Sequence, residues 1–160
     1  MAAGRIYPVT FSKVTVTAGQ DLFEIAPAAN KQVEFIGFTI DQCGNTDVGD
    51  SKEAFLRWEV IRGNATTGSG GTSPTPSPQE PSDTAAGFTA KVNNTTAAST
   101  GSPTTQHAGA FNVRGDYVFW WPPGTEPTCT AGQSRMVVRM ADAPPASILL
   151  SATLYVRERG

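Results

Sequence analysis

Residues 148–157 read Ile-Leu-Leu-Ser-Ala-Thr-Leu-Tyr-Val-Arg, and this stretch decides the class of fold. One set of alternate positions is wholly apolar, and the other set is mixed in polarity. Successive side chains of a β-strand point to opposite faces of a sheet, so a period of two predicts a strand with one buried face. The face predicted to be buried carries Ile148, Leu150, Ala152, Leu154 and Val156.

The same period recurs along most of the chain. Clean alternation is found in 13–17, 55–62 and 136–140. A longer candidate strand, Gln32 to Gln42, changes its apolar phase after Phe35, which indicates either a β-bulge near that residue or burial on both faces. No helical period continues for more than about two turns.

Short strands separated by Gly- and Pro-containing turns predict an all-β fold. We count about eight or nine strands, which favours a single β-sandwich over residues 1–160. A jelly-roll-like arrangement suits the few long connections better than an immunoglobulin fold, because the chain has no Cys-Trp-Cys framework. No internal repeat supports a propeller or a solenoid.

One segment differs from the rest in composition. From Gly63 to Ala108 the only large apolar side chains are Phe88 and Val92, and most other residues are Gly, Ser, Thr, Pro, Ala or Asn. Such a segment buries too little surface to offset its ordering entropy. We therefore expect a long irregular excursion, with at most one short strand at 88–92, that is held in place by contacts outside the chain.

Composition limits the classes of function. The net charge is −2 and charged residues make up 16% of the chain, below the roughly 25% of typical domains. No basic cluster favours nucleic-acid binding, and no apolar run is long enough to span a membrane. Met1–Arg5 lacks the apolar core of a secretory signal, so we expect a cytoplasmic protein in which Cys43 and Cys129 are free thiols, although a bridge between them is conceivable.

No arrangement of residues predicts catalysis or a cofactor. His107 is the only histidine, and it has no nucleophile motif near it. Gly68–Gly71 lacks the lysine of a phosphate-binding loop, and the cysteines have no zinc-site spacing. The carboxylates Asp41, Asp47, Asp50 and Glu53 fit a solvated acidic loop, with a structural Ca²⁺ ion as the alternative. We therefore expect a protein that is not an enzyme and that has no catalytic, cofactor-binding or metal-binding residues.

The pair Trp120 and Trp121 is the densest aromatic feature. Adjacent strand residues point to opposite faces, so one indole is predicted to pack inside and the other to lie on an outer face. Three interpretations of the outer indole stay open at this point: a cover formed by Pro122-Pro123, a subunit contact, and stacking against a carbohydrate.

The chain as a whole resembles small β-sandwich virion proteins of tailed bacteriophages, the capsid decoration or cement proteins. The strings that carry this resemblance are Gly4–Phe11 (GRIYPVTF), Ala18–Ile25 (AGQDLFEI), Leu56–Gly63 (LRWEVIRG), Gly87–Ala90 (GFTA) and Ala152–Val156 (ATLYV). The resemblance implies a structural protein of the virion, assembled in the host cytoplasm, that contacts the major capsid protein and self-associates, most simply as a homotrimer. It carries no site motif.

Intersubunit contacts are expected from three segments, Met1–Tyr7, Gly63–Ala108 and Arg157–Gly160. The individual interface candidates are Tyr7, Phe88, Trp120, Trp121 and Arg157. Two alternatives remain: another virion part, such as a head fibre, collar or tail component, and a carbohydrate-binding β-sandwich module.

Overall fold

The computed structural model describes residues 4–43 and 54–160. These ranges contain a three-residue 3-10 helix, Ala131–Gln133, and none of their helices is long and apolar enough to cross a membrane. The ten strands are β1 Arg5–Val16, β2 Gln20–Ala26, β3 Gln32–Gln42, β4 Phe55–Thr66, β5 Thr89–Asn94, β6 Ser99–Asn112, β7 Tyr117–Trp120, β8 Thr128–Thr130, β9 Met136–Met140 and β10 Ile148–Arg159.

The strands form two antiparallel sheets that pack face to face, which confirms the predicted all-β sandwich. Sheet A has the order β1-β10-β3-β7, and β8 also pairs with β3; sheet B has the order β5-β2-β9-β4-β6. The two halves of the chain pair like one long ribbon, because β1 pairs with β10, β2 with β9, β3 with β7 and β4 with β6. Neighbouring strands are therefore distant in sequence.

The inward faces of both sheets form one core. Strand β10 buries every second residue from Ile148 to Glu158, as its alternation predicts. Trp58 is fully buried, and its ring meets Phe38 edge to face with the centroids 4.7 Å apart. Burial of a large apolar side chain stabilises the fold by about 1.5–3 kcal/mol. The largest fully buried side chains are Trp58, Tyr7, Phe23, Phe35, Phe38, Leu22, Ile25 and Ile40.

The apolar phase change in β3 is a β-bulge. Gly37 pairs with Tyr155 and Phe35 pairs with Val156, so Ile36 is an extra residue on the β3 side. Phe35 and Phe38 can both face the core because the bulge shifts the alternation by one residue. The sequence pattern predicted this irregularity at the correct place.

The segment Gly63–Ala108 is more regular than predicted. Strand β4 continues to Thr66. The short strand expected at 88–92 is present as β5, which covers Thr89–Asn94, and β6 runs from Ser99 along nearly the whole of β4. Residues 67–88 are irregular, and we call them the strap; residues 95–98 form a short connection between β5 and β6. Thr and Ser residues suit an edge strand even without apolar neighbours, because backbone hydrogen bonds to β4 hold β6 in place.

The strap is held by the chain's own sandwich, which corrects the expectation that contacts outside the chain fix it. Its first part bridges β5 through Thr72 and Val92. It then reaches sheet A, where the Gln79 N–H donates to the Ile6 carbonyl at 2.7 Å. The strap thus closes the open side of the sandwich between β5 and β1.

Two buried carboxylates of β2 fasten neighbouring segments to the outer side of sheet B: Glu24 holds the start of the strap, and Asp21 holds the connection between β5 and β6. Glu24 accepts hydrogen bonds from the Thr67 hydroxyl at 2.7 Å, the Gly68 N–H at 2.9 Å and the Asn94 amide at 2.8 Å. Arg135 Nε lies 3.0 Å from Glu24 Oε1, as an ion pair without hydrogen-bond geometry. These four groups compensate the cost of burying the carboxylate.

Asp21 is the second of these carboxylates. It accepts from the Ala98 N–H and from Arg139 Nε, both at 2.6 Å. Burial raises the pKa of Asp21, and the hydrogen bonds from Arg139 and Ala98 oppose that rise. A small apolar cluster of Ile61, Ala98 and Val137 lies on the same side of sheet B. The polar residues that the sequence assigned to a free excursion are therefore structural.

Candidate functional site

Three of the five predicted interface residues are buried within the chain. Tyr7, Phe88 and Trp121 are 0%, 3% and 6% exposed. Tyr7 and Phe88 pack against each other edge to face at 5.4 Å, and the Tyr7 hydroxyl donates to the Thr84 carbonyl. Their assignment to an intersubunit surface is therefore corrected: these side chains join β1, the strap and the core within one subunit.

The fourth candidate, Arg157, is partly exposed but already neutralised. Its guanidinium lies 3.0 Å from Glu34 and 3.3 Å from Glu126. Burial raises the pKa of Glu126, but hydrogen bonds from the N–H groups of Glu126 and Gly124 and from Arg157 outweigh it, so the pKa is lowered overall. Arg157 does not offer a free positive charge to a partner.

Trp120 is the one candidate with an accessible apolar surface. Its side chain is 49% exposed on the outer face of sheet A, while Trp121 points into the core, as the alternation predicted. The indole lies directly over Gly37, where an added Cβ would overlap the ring. The Tyr155 ring lies beside it, with the centroids 5.1 Å apart and the planes inclined by 34°.

These residues belong to a row that crosses four of the five strands of sheet A, namely β1, β10, β3 and β7. The strand register places Pro8 beside Tyr155, Tyr155 beside Gly37 and Gly37 beside Trp120. We call this line the aromatic row. Glycine is the only residue that leaves room for the indole at the third position. The row is thus continuous across the four strands and without charge.

A second row, the threonine row, runs parallel to the first. It consists of Thr10, Thr153, Thr39 and Val118, again in direct register. Thr153 Oγ1 and Thr10 Oγ1 are hydrogen-bonded at 3.2 Å, and Val118 is 58% exposed. We call the two rows together the sheet A platform. It offers aromatic faces on one line and hydroxyl groups on the next.

Acidic groups border the platform beyond the threonine row. Asp41 is opposite Ser151 on the same face of sheet A. Burial, and then the charge of Asp116, raise the pKa of the Asp41 carboxyl. Asp47, Asp50 and Glu53, the other members of the predicted acidic group, lie outside the described residues. Within the described ranges no three His, Cys, Asp or Glu side chains are placed to hold a metal ion.

A second accessible feature is the edge of sheet B formed by β6. In the described part of the chain no strand pairs with β6 on the side away from β4. The strand has no Asp, Glu, Lys or Arg, and its first seven residues are exposed. The predicted loop histidine, His107, is in this strand and stacks on Trp58 at 5.1 Å. His107 therefore covers the core.

The two cysteines are free thiols, as predicted. Cys129, in β8, is fully buried, and this burial raises the pKa of its thiol to about 11. Cys43 is partly exposed and lies 3.1 Å from the Ser151 hydroxyl. Cys129 is an apolar core residue rather than a reactive group.

Comparisons with protein-family models, with curated proteins and with solved structures found no match for this chain.

Sequence reasoning missed two members of the aromatic row, Gly37 and Tyr155. Tyr155 lies in the outward phase of the 148–157 alternation, and this position could have identified it as an aromatic residue on the outer face of the sheet. A lone glycine inside a predicted strand was another, because it indicates close approach of a neighbouring group. Their proximity to Trp120 depends on strand order, which the sequence alone does not provide.

Proposed function

We propose that this protein is a non-enzymatic structural component of a tailed-phage virion, which decorates or cements the capsid shell. Its short strings resemble such proteins, and its low charge and rigid β-sandwich suit a component surrounded by neighbours. A major capsid protein and further copies of this chain are the proposed partners, with a homotrimer as the proposed assembly.

We also propose that the sandwich is a jelly roll. The pairing of β1 with β10, β2 with β9, β3 with β7 and β4 with β6 supports this, because it is the pairing of an antiparallel ribbon rolled into two sheets. Strands β5 and β8 are additions to that ribbon. A jelly roll is a common fold of viral capsid domains, which agrees with the proposed role.

The observation that carries the proposal is the charge-free edge of β6, which no strand of the described residues covers between His107 and Phe111. Natural proteins protect edge strands with Lys, Glu, Pro or bulges, because an open edge pairs with other chains. Pro103 and two register shifts interrupt the part of β6 before His107. From His107 to Asn112 the ladder is regular and includes Ala108, Gly109 and Ala110, whose small size lets another strand approach closely.

The first experiment tests self-association through this edge. Ala108 is exposed, and a lysine there would lie beside Glu59 on β4, so Ala108→Lys leaves the subunit folded. We expect a parent oligomer by light scattering and a shift to smaller species in Ala108→Lys. Ala85→Lys, on the exposed part of the strap, is the matched control and leaves the oligomer unchanged.

The second experiment tests the particle itself. Virions prepared from the source strain are analysed by mass spectrometry, and the purified protein is co-sedimented with capsids. We expect the chain in the particles and co-sedimentation that Ala108→Lys weakens and Ala85→Lys preserves. A monomeric parent protein that is absent from the particles and does not bind capsids contradicts the proposal. Immunogold labelling distinguishes the shell from a head fibre, collar or tail position.

A further inference from the structure

The sheet A platform is a second surface, separate from the β6 edge and not used in the proposed assembly. Trp120 lies over Gly37, and the Tyr155 ring lies beside it with the ring planes inclined by 34°, so two aromatic rings adjoin on one outer face of the sheet. Because the indole is already held against the sheet, binding a ligand there costs little side-chain entropy. Preorganisation of this kind is typical of a ligand site rather than of an incidental exposed residue.

We infer that the platform binds a neutral oligosaccharide of pyranose rings with equatorial hydroxyls. Such a ring has a face of C–H groups and a rim of hydroxyls. The C–H face stacks on Trp120 and Tyr155, whose bodies are apolar and whose polar tips can reach a hydrogen-bond partner. The rim faces the hydroxyls of Thr39 and Thr153 in the next row.

The charge of the platform decides against other ligands that stack on aromatic rings. Single-stranded nucleic acid requires a positively charged groove beside its aromatic side chains. Arg157, which follows Tyr155 on the same face of β10, is paired with Glu34 and Glu126. Both rows of the platform are uncharged. A neutral ligand therefore fits, and an anionic one does not.

The shape of the platform decides against a protein partner. Protein hot-spot residues are centred in well-packed pockets that exclude water. Here the indole is on an open sheet surface, and the neighbouring side chains of Thr10, Thr39 and Thr153 are short. The Thr10 hydroxyl donates to the Ala152 carbonyl and the Thr153 hydroxyl donates to Thr10. Hydroxyl groups of a sugar can bond the lone pairs that remain on these threonines, whereas an apolar protein surface cannot.

The dimensions of the platform predict a preference for chains over single sugars. Strands are about 4.8 Å apart, so four strands span roughly 14 Å along the aromatic row. Pro8 at one end and Trp120 at the other therefore accommodate more than one sugar ring. We expect hexasaccharides to bind more tightly than the corresponding monosaccharides.

The test uses the full chain and three neutral probes, cellohexaose, xylohexaose and chitohexaose, by calorimetry and tryptophan fluorescence. We expect at least one to bind at millimolar or lower concentration, and Trp120→Ala to weaken it roughly tenfold. Trp120→Phe recovers part of the loss. Phe55→Ala, which removes an aromatic side chain 69% exposed on β4, is the matched control and leaves binding unchanged.

The result does not depend on the virion role, since a monomer and an oligomer both expose sheet A. Failure of all three probes to bind the parent protein overturns the inference. So does equal weakening by Trp120→Ala and Phe55→Ala, because the site is then elsewhere. Circular dichroism of each variant confirms that the sandwich is folded before binding is compared.

Discussion

Phe88 tests whether the strap is part of the cooperative fold. Its side chain is 3% exposed and packs edge to face on Tyr7, so Phe88→Ala removes both apolar burial and an aromatic pair. Phe→Ala in a protein core costs about 3–5 kcal/mol. Because Phe88 comes from a segment that can partly collapse into the space, we expect the lower end, about 3 kcal/mol.

Urea denaturation measures this value. With a slope near 2 kcal/mol per molar urea, a loss of about 3 kcal/mol lowers the midpoint by roughly 1.5 M. Phe55→Ala is the matched control, since a surface substitution changes stability by about 0.5 kcal/mol or less. Hydrogen exchange adds a local measurement: the Gln79 amide, bonded to Ile6, should lose protection in Phe88→Ala.

A change within about 0.5 kcal/mol of the parent would refute this account of the strap. It would mean that residues 67–88 open without disturbing the sandwich. The sequence-based expectation, that contacts outside the chain hold this segment in place, would then be favoured again. The Tyr7→Phe variant should lose an intermediate amount of stability, about 1 kcal/mol of the free energy of unfolding. It removes only the hydrogen bond from the Tyr7 hydroxyl to the exposed Thr84.

Three further predictions concern charged and thiol groups. Glu24→Gln should destabilise the fold by about 3 kcal/mol in urea denaturation, because it leaves buried donors and Arg135 without their carboxylate. Glu80→Gln, at an exposed position, is the matched control and should not change the stability. Hydrogen bonds from Arg57 lower the pKa of Asp142 to about 2, so their stabilisation is complete above the unfolded pKa of about 3.9 and is lost as pH falls through 2. In a carboxyl NMR titration, Arg57→Gln should raise the pKa of Asp142 toward its ordinary value, although the hydrogen bond from the backbone N–H of residue 57 keeps part of the lowering. Native protein at pH 8 should react with a thiol reagent at Cys43 only, while Cys129 reacts after denaturation.

Most of the sandwich could be predicted from the sequence because alternation is a local property. The buried phase of 148–157, the bulge near Phe35 and the opposite orientations of Trp120 and Trp121 all follow from a period of two. The strap could not be predicted in the same way. Its composition indicates little burial, yet its start is anchored by the carboxylate of Glu24 on β2, which is distant in sequence.

The candidate binding surface shows the same limit. An outward indole was predictable at Trp120 or Trp121, but the platform around it was not. Gly37 and Tyr155 become its neighbours only because β10 and β7 both pair with β3. The burial of Tyr7 and Phe88 was also missed, because their rings pack against each other although the two residues are distant in sequence.

Pairing of β1 with β10 has a consequence for biosynthesis. Among the described strands, β1 leaves the ribosome first and is bonded in the native protein to β10, which leaves it last, with Arg5 opposite Glu158. Loop closure over the long separation between β1 and β10 makes such a topology slow to reach its native state. We expect refolding on the millisecond-to-second scale or slower, with the nascent chain dependent on chaperones until β10 has emerged.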